Sequence, residues 1–258
     1  MHARIKQTVA AAILAAVAAT GCSSQSHPET SITVFASSAM IKSLTAIGKQ
    51  FETENPGTEV EFIFSGSSDL SAELSGGNVA DVFVSGDHEN MATVANAGLI
   101  AAPPVPIAAN SLVIATAPGN RSHIASFADL RRPDVRVAVC GVPGACGAAT
   151  RQIEEHSGVQ LHPQYSDTTD IDVLRDVSTG KADAGLVFQP DAMSSGDSVS
   201  WFAFPESAGA EVTSWIAPVK DSQQETLAGK FIQDVTGPAG RKVFAEAGFT
   251  EPKEKFEG

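Results

Sequence analysis

The chain has 258 residues, with 17 Lys and Arg against 30 Asp and Glu and a net charge of −13. So acidic a composition excludes nucleic acid as a partner, because its phosphates reward clustered Lys and Arg. Any anion must be held by local geometry against the overall field.

The N-terminus sets the compartment. Arg4 and Lys6 precede an apolar run from about Val9 to Ala19, and "ATGC" ends at Cys22. A basic start, a short apolar stretch and small residues before a cleavage point form a secretory signal. Small residues followed directly by Cys resemble the bacterial lipobox, with Ala19 where Leu is usual. The expectation is a lipoprotein signal over residues 1–21, acylation of Cys22 and a polar tether over 22–30. The apolar run is shorter than the span of about 20 residues that a membrane requires. Loss of Arg4 and Lys6 with the leader takes the charge from −13 to −15.

Beyond the tether, strand-like runs recur at 32–36, 60–64, 80–86, 111–117, 135–140, 184–188, 201–204 and 215–219. Several are nearly continuous apolar runs, as in strands covered on both faces. Between them lie helical patterns; Met40, Leu44, Ile47 and Phe51 form one apolar stripe. Gly57, Gly76–Gly77, Gly98, Gly158 and Gly180 fall where helices should stop. Strands alternating with helices predict an α/β fold with parallel sheets, and the length predicts one large or two modest domains. Asp81 and Asp87, either side of "VFVSG", read as capping or salt-bridging residues, and Trp201 and Trp215 as packing residues.

Outside the cytoplasm, Cys140 and Cys146 are expected to pair as a disulfide across a Gly/Pro-rich turn. That turn, in "VAVCGVPGACGAATRQIEE" (137–155), has the layout of a phosphate loop but holds no Lys or Arg. Nucleotide binding is not expected there. Similar junctions follow other strands: Ser37-Ser38-Ala39, then Ser65-Gly66-Ser67-Ser68-Asp69, and "SDTTDID" before "VLRDVSTG". Each alone is a set of good helix caps. Converging, their free N–H groups would make an anion site without any cationic side chain.

In order, "ITVFASSAM", "FSGSSDL", "ADVFVSGD", "NSLVIA", "DVLRDVSTGKADAGLVF" and "GPAGRKVFAEAGF" cover residues 31–250. This set resembles the molybdate-binding proteins of bacterial ABC importers. The resemblance implies two doubly wound α/β domains of the type II periplasmic-binding architecture, joined by two crossover strands. The domains are expected at 31–110 plus 218–258 and at 111–217. It further implies a molybdate or tungstate oxyanion in the cleft, no cofactor, no catalysis, and delivery to a membrane permease. A monomer is expected, extracytoplasmic and tethered to the cell membrane through lipid on Cys22.

By position, the resemblance gives Ser67 a hydroxyl and an amide donor role, and gives Cys146 and Asp170 backbone N–H roles. Ala39 stands where the family has a serine, with Ser38 and Ser37 beside it. Phe188 stands where the family has a tyrosine hydroxyl. Ser38 is expected at the oxyanion in place of that serine, with Ser37, Ser68 and Gln189 as second-choice donors, each bond worth about 1.5–3 kcal/mol to a charged group.

Three alternatives stay open on the residues. One is a sulfate or phosphate receptor, for which a carboxylate of Asp69 or Asp170 facing the ligand would be the sign. A second is a metal or organic-solute receptor using His88, His123, His156 or His162, although His156 and His162 do not share a helical face. The third is an enzyme, for which "GVPGACG" offers a turn but no G-x-S-x-G or HExxH motif is present.

Overall fold

Where each apolar run gives way to small polar residues, a strand ends and a helix begins. The computed structural model describes residues 30–142, 145–167, 169–253 and 255–256. The signal segment and Cys22 lie outside the described residues. The first half contains β1 (Thr30–Ser37), a 3-10 turn (Ser38–Met40), α1 (Ile41–Glu54), β2 (Thr58–Ser65) and α2 (Ser67–Ser75). It continues with β3 (Val82–Ser85), α3 (His88–Asn96) and β4 (Val105–Asn110).

The second half opens with β5 (Leu112–Thr116) and β6 (Val137–Cys140), then α4 (Ala145–Ser157), β7 (Tyr165–Asp167) and α5 (Asp170–Ser178). It closes with β8 (Ala184–Phe188), α6 (Gln189–Ser194) and β9 (Ser200–Phe202). The chain then returns through β10 (Val212–Pro218) to α7 (Glu225–Thr236) and α8 (Pro238–Glu246).

Two five-stranded sheets result, ordered β2-β1-β3-β10-β4 and β7-β6-β8-β5-β9. Both are mixed rather than parallel. β10 runs antiparallel to β3 and β4, and β5 runs antiparallel to β8 and β9. The reversal has a simple origin: β5 and β10 are the strands that enter each sheet from the other half. Only Ser111 separates β4 from β5. β10 joins the first sheet from Val212, so by sheet membership residues 212–217 go with the first half.

Period-two alternation splits β1 between two cores. Ile32, Val34 and Ala36 pack with the α1 stripe of Leu44, Ile47 and Phe51 and with Phe231 and Phe244. Phe35 faces the other way, onto Leu70, Phe83, Met91 and the fully buried Trp215. The second sheet has its own core around Val113, Val137, Val173, Leu186 and Phe127. Trp201, on β9, is 36% exposed.

Candidate functional site

Ligands of α/β folds collect outside the carboxyl ends of parallel strands, and here those ends are level. Ser37 is in register with Ser65, and Ala36 with Val84, so β1, β2 and β3 end together. In the other sheet Cys140 is level with Asp167, and Ala138 with Gly185. Between the two sets of ends lies a cavity of about 190 Å³. Ser37, Ala39, Ser67, Gly86 and Asp87 line it from the first half, and Ala145 and Phe188 from the second. Asn110, Val212 and Ser214, from the crossover strands, and Phe249 complete the wall. The volume is below the roughly 300–1,000 Å³ usual for drug-sized ligands and suits an ion. Larger cavities of about 590 and 470 Å³ lie away from these strand ends, against α7 and α8 respectively.

Helix starts surround this cavity. Ala39 lies in the turn that leads into α1, Ser67 and Ala145 are the first residues of α2 and α4, and Asp87 caps α3. The first N–H groups of a helix lack intrahelical partners and carry partial positive charge. They favour an anion here although no Lys, Arg or His is among the described residues lining the cavity.

The side chains add neutral donors. Ser67 Oγ accepts the Gly86 N–H at 2.9 Å, which orients the hydroxyl and leaves its hydrogen to donate. Ser37 and Ser214, both buried, bring two more hydroxyls to the wall. The one carboxylate, Asp87, is turned onto its helix: Asn90 N–H donates to Oδ1 at 2.8 Å, and Asn90 Nδ2 donates to both oxygens. Asp81 is instead a buried acceptor for Thr33 N–H and the Ser222 hydroxyl.

Close backbone approach shapes two walls. A Cβ on Gly86 would sit 2.7 Å from Ser37 Oγ, and one on Gly147 would sit 2.4 Å from the Gly141 carbonyl oxygen. Glycine at both places lets the Ser37 hydroxyl and the α4 start come in.

Of the residues expected at an oxyanion, Ala39 and Ser67 line the cavity, and Cys146 directly follows Ala145, which also lines it. Cys146 is buried and disulfide-bonded to Cys140, with a Cα separation of 5.8 Å. Ser38, expected at the oxyanion, lines a neighbouring cavity instead, because β1 runs on through Ser37, and it is the second-choice Ser37 that lines this one. Ser68, Asp170 and Gln189 are not among the lining residues. Asp69 accepts from Ser65 Oγ at 3.3 Å and does not line the cavity either. Asn110 and Ser214 went unassigned in the sequence, because tertiary pairing of the crossover strands brings them to the site. Among the described residues no group of three or more His, Cys, Asp or Glu is placed to hold a metal ion.

The neighbouring cavity, about 420 Å³, lies between α1 and α6 and takes Lys42 and Asp191 from opposite halves. Burial above all, then the charge of Asp170 and a hydrogen bond with it, push the Asp191 carboxyl up to about 7, against the pull of Lys42. The folded state therefore holds a proton that the unfolded chain releases near pH 4, so this contribution to stability is full below pH 4 and is lost as pH rises to about 7. Asp191→Asn is expected to remove that loss, worth about 1–2 kcal/mol for a group still in contact with solvent. Denaturant unfolding at pH 5 and pH 8 measures it, and an unchanged pH slope in the variant would count against it.

The fold is that of a type II periplasmic binding protein: two α/β halves, crossover strands between them and a solute cleft at their strand ends. The chain belongs to the bacterial extracellular solute-binding protein family, whose model matches residues 32–250. Members of this class bind and carry solutes; they are not enzymes and hold no cofactor. The chain is 45% identical over 222 residues to the molybdate-binding protein ModA of Mycobacterium bovis, covering 86% of this chain and 85% of that protein. Among solved structures, the periplasmic molybdate-binding protein of Azotobacter vinelandii superposes with TM-score 0.67 at 18% identity, covering 86% of this chain and all of that one. The sulfate-binding protein SubI of Mycobacterium tuberculosis gives 0.69 at 17% identity, covering 87% and 88%. The resemblance read from the ordered motifs thus holds, while the structural likeness speaks for the fold alone.

Proposed function

We propose that this protein is the extracytoplasmic receptor of an ABC importer for molybdate, that it binds tungstate alike, and that it hands the anion to a membrane permease. The observation that carries this reading is the ion-sized cavity where helix starts and neutral hydroxyls converge without a cation. The 45% identity to a molybdate-binding protein supports the choice of anion. The Ser67 hydroxyl and the first N–H groups of α2 and α4, including that of Cys146, donate to the oxygens, and Ser37 replaces the hydroxyl absent at Ala39. The halves, 31–110 with the C-terminal segment and the intervening chain, close about the crossover strands. Closure brings the start of α5, with the Asp170 N–H, toward the anion and excludes water, which strengthens every donor. The protein acts as a monomer held at the membrane by lipid on Cys22.

Selectivity follows from the donor set. The carboxylate on the wall, Asp87, is taken up by Asn90, so the O–H of protonated phosphate meets no free carboxylate among the described lining residues, which is costly. Sulfate, alike in charge and shape, is discriminated by size. Thermal unfolding tests the reading: molybdate or tungstate at 100 times its dissociation constant should stabilise by about 2.7 kcal/mol, roughly 5–10 °C for a chain of this size. Equal shifts from sulfate, or none from molybdate, would contradict it.

A further inference from the structure

Asn110 ends β4, one residue before the chain crosses between the halves. It lines the 190 Å³ cavity and is 7% exposed. Its Oδ1 is sealed from solvent without a hydrogen-bond partner among the described residues. The unpaired atom is the acceptor, so only the N–H₂ of this carboxamide can serve an anion in the cavity that the residue lines.

Its position is fixed from both sides. Val212 pairs with Asn110 on β10, and two residues on, Leu112 pairs with Phe188. The Gln189 N–H donates to the Ser111 carbonyl at 3.0 Å, locking the crossover to the end of β8. Asn110 therefore stands close in the fold to Phe188, a ring that lines the same cavity and carries no polar atom. A rigidly held amide beside a wall that lacks a donor is placed to supply one.

We propose that Asn110 binds the anion directly, its carboxamide N–H₂ donating to an oxygen from the place where Phe188 has nothing to give. This rests on the oxyanion reading above and adds to it a ligand residue from the crossover itself. The bond comes from Nδ2 and leaves Oδ1, an acceptor that a proton-free anion cannot serve, as it is; it ties the anion to the junction of the two halves.

Calorimetric titration of molybdate into the purified protein and three variants tests this. Asn110→Ala should weaken binding about 10- to 100-fold, the range for one hydrogen bond to a charged group. Asn110→Asp should weaken it further at pH 8, where a carboxylate faces the anion, and recover part of the loss at pH 5 relative to the wild type over the same range. Variant and wild type are followed over the same pH range, and Asp87 and Asp191 are common to both, so titration of those groups does not mimic it. Adding Phe188→Tyr to Asn110→Ala should restore about tenfold by returning a donor to the wall. Wild-type binding of molybdate, with both Asn110 variants binding as tightly, would overturn the role of Asn110 and leave the receptor intact. Failure of the wild type itself to bind molybdate would remove the oxyanion reading and this inference with it.

Discussion

Ser67→Ala is expected to weaken molybdate binding about 10- to 100-fold, since it removes a hydroxyl donor to a charged group. The change has a second consequence. Ser67 Oγ is the acceptor for Gly86 N–H at 2.9 Å, so that amide loses its partner beside the cavity. A fully buried unpaired donor costs about 1–3 kcal/mol; Gly86 is half-buried, so the variant should melt only slightly lower. Ser67→Thr keeps the hydroxyl and separates the two effects: it should retain the Gly86 bond and most of the affinity. Calorimetry and thermal melting on both variants check this. An Ala variant that binds as tightly as the wild type would show that the hydroxyl does not face the anion.

Gly147→Ala should affect stability more. The added Cβ would lie 2.4 Å from the Gly141 oxygen and 2.8 Å from the Cys140 oxygen, both backbone atoms without rotamers to yield. The Cys140–Cys146 disulfide ties the same turn to the end of β6, so α4 cannot slide away alone. Overpacking of this kind costs about 1–3 kcal/mol, or roughly 3–10 °C in melting temperature for a chain of this length. The α4 start must retreat, taking the Ala145 wall with it, so molybdate affinity should fall about tenfold as well. Gly229→Ala is the control. Gly229 lies within α7 with nothing within 4 Å of its added Cβ, and there alanine should stabilise by up to about 1 kcal/mol. Equal melting temperatures for the two variants would refute the packing argument.

Much of the fold was legible because its signals are local. The run "AGLVF" is β8 to the residue, and the Met40–Phe51 stripe is the buried face leading into and along α1. Two strands escaped. β4, "VPIAAN", contains Pro106 and two alanines in place of β-branched residues, and β7 is three residues long and polar or aromatic throughout. Both are strands by virtue of the neighbours they pair with. The antiparallel sense of β5 and β10 was hidden for the same reason, since direction depends on the half from which a strand enters.

The site divides along the same line. Hydroxyl and glycine caps after apolar runs marked the turns at 37–39, 65–69 and 141–147, since capping is decided within a few residues. Which hydroxyl faces inward was not decided there. β1 runs on through Ser37 before the 3-10 turn begins, and that boundary gives the cavity Ser37 and turns Ser38 to the adjoining one. Asn110 and Ser214 reach the cavity only because the two crossover strands pair with each other, an arrangement no local pattern encodes.

Calorimetric titration with molybdate, tungstate, sulfate and phosphate in turn tests the central claim most directly. Tight one-to-one binding of molybdate and tungstate, with sulfate and phosphate silent, is the predicted result. Heat from sulfate or phosphate with molybdate silent would contradict it and assign the cavity to a different oxyanion.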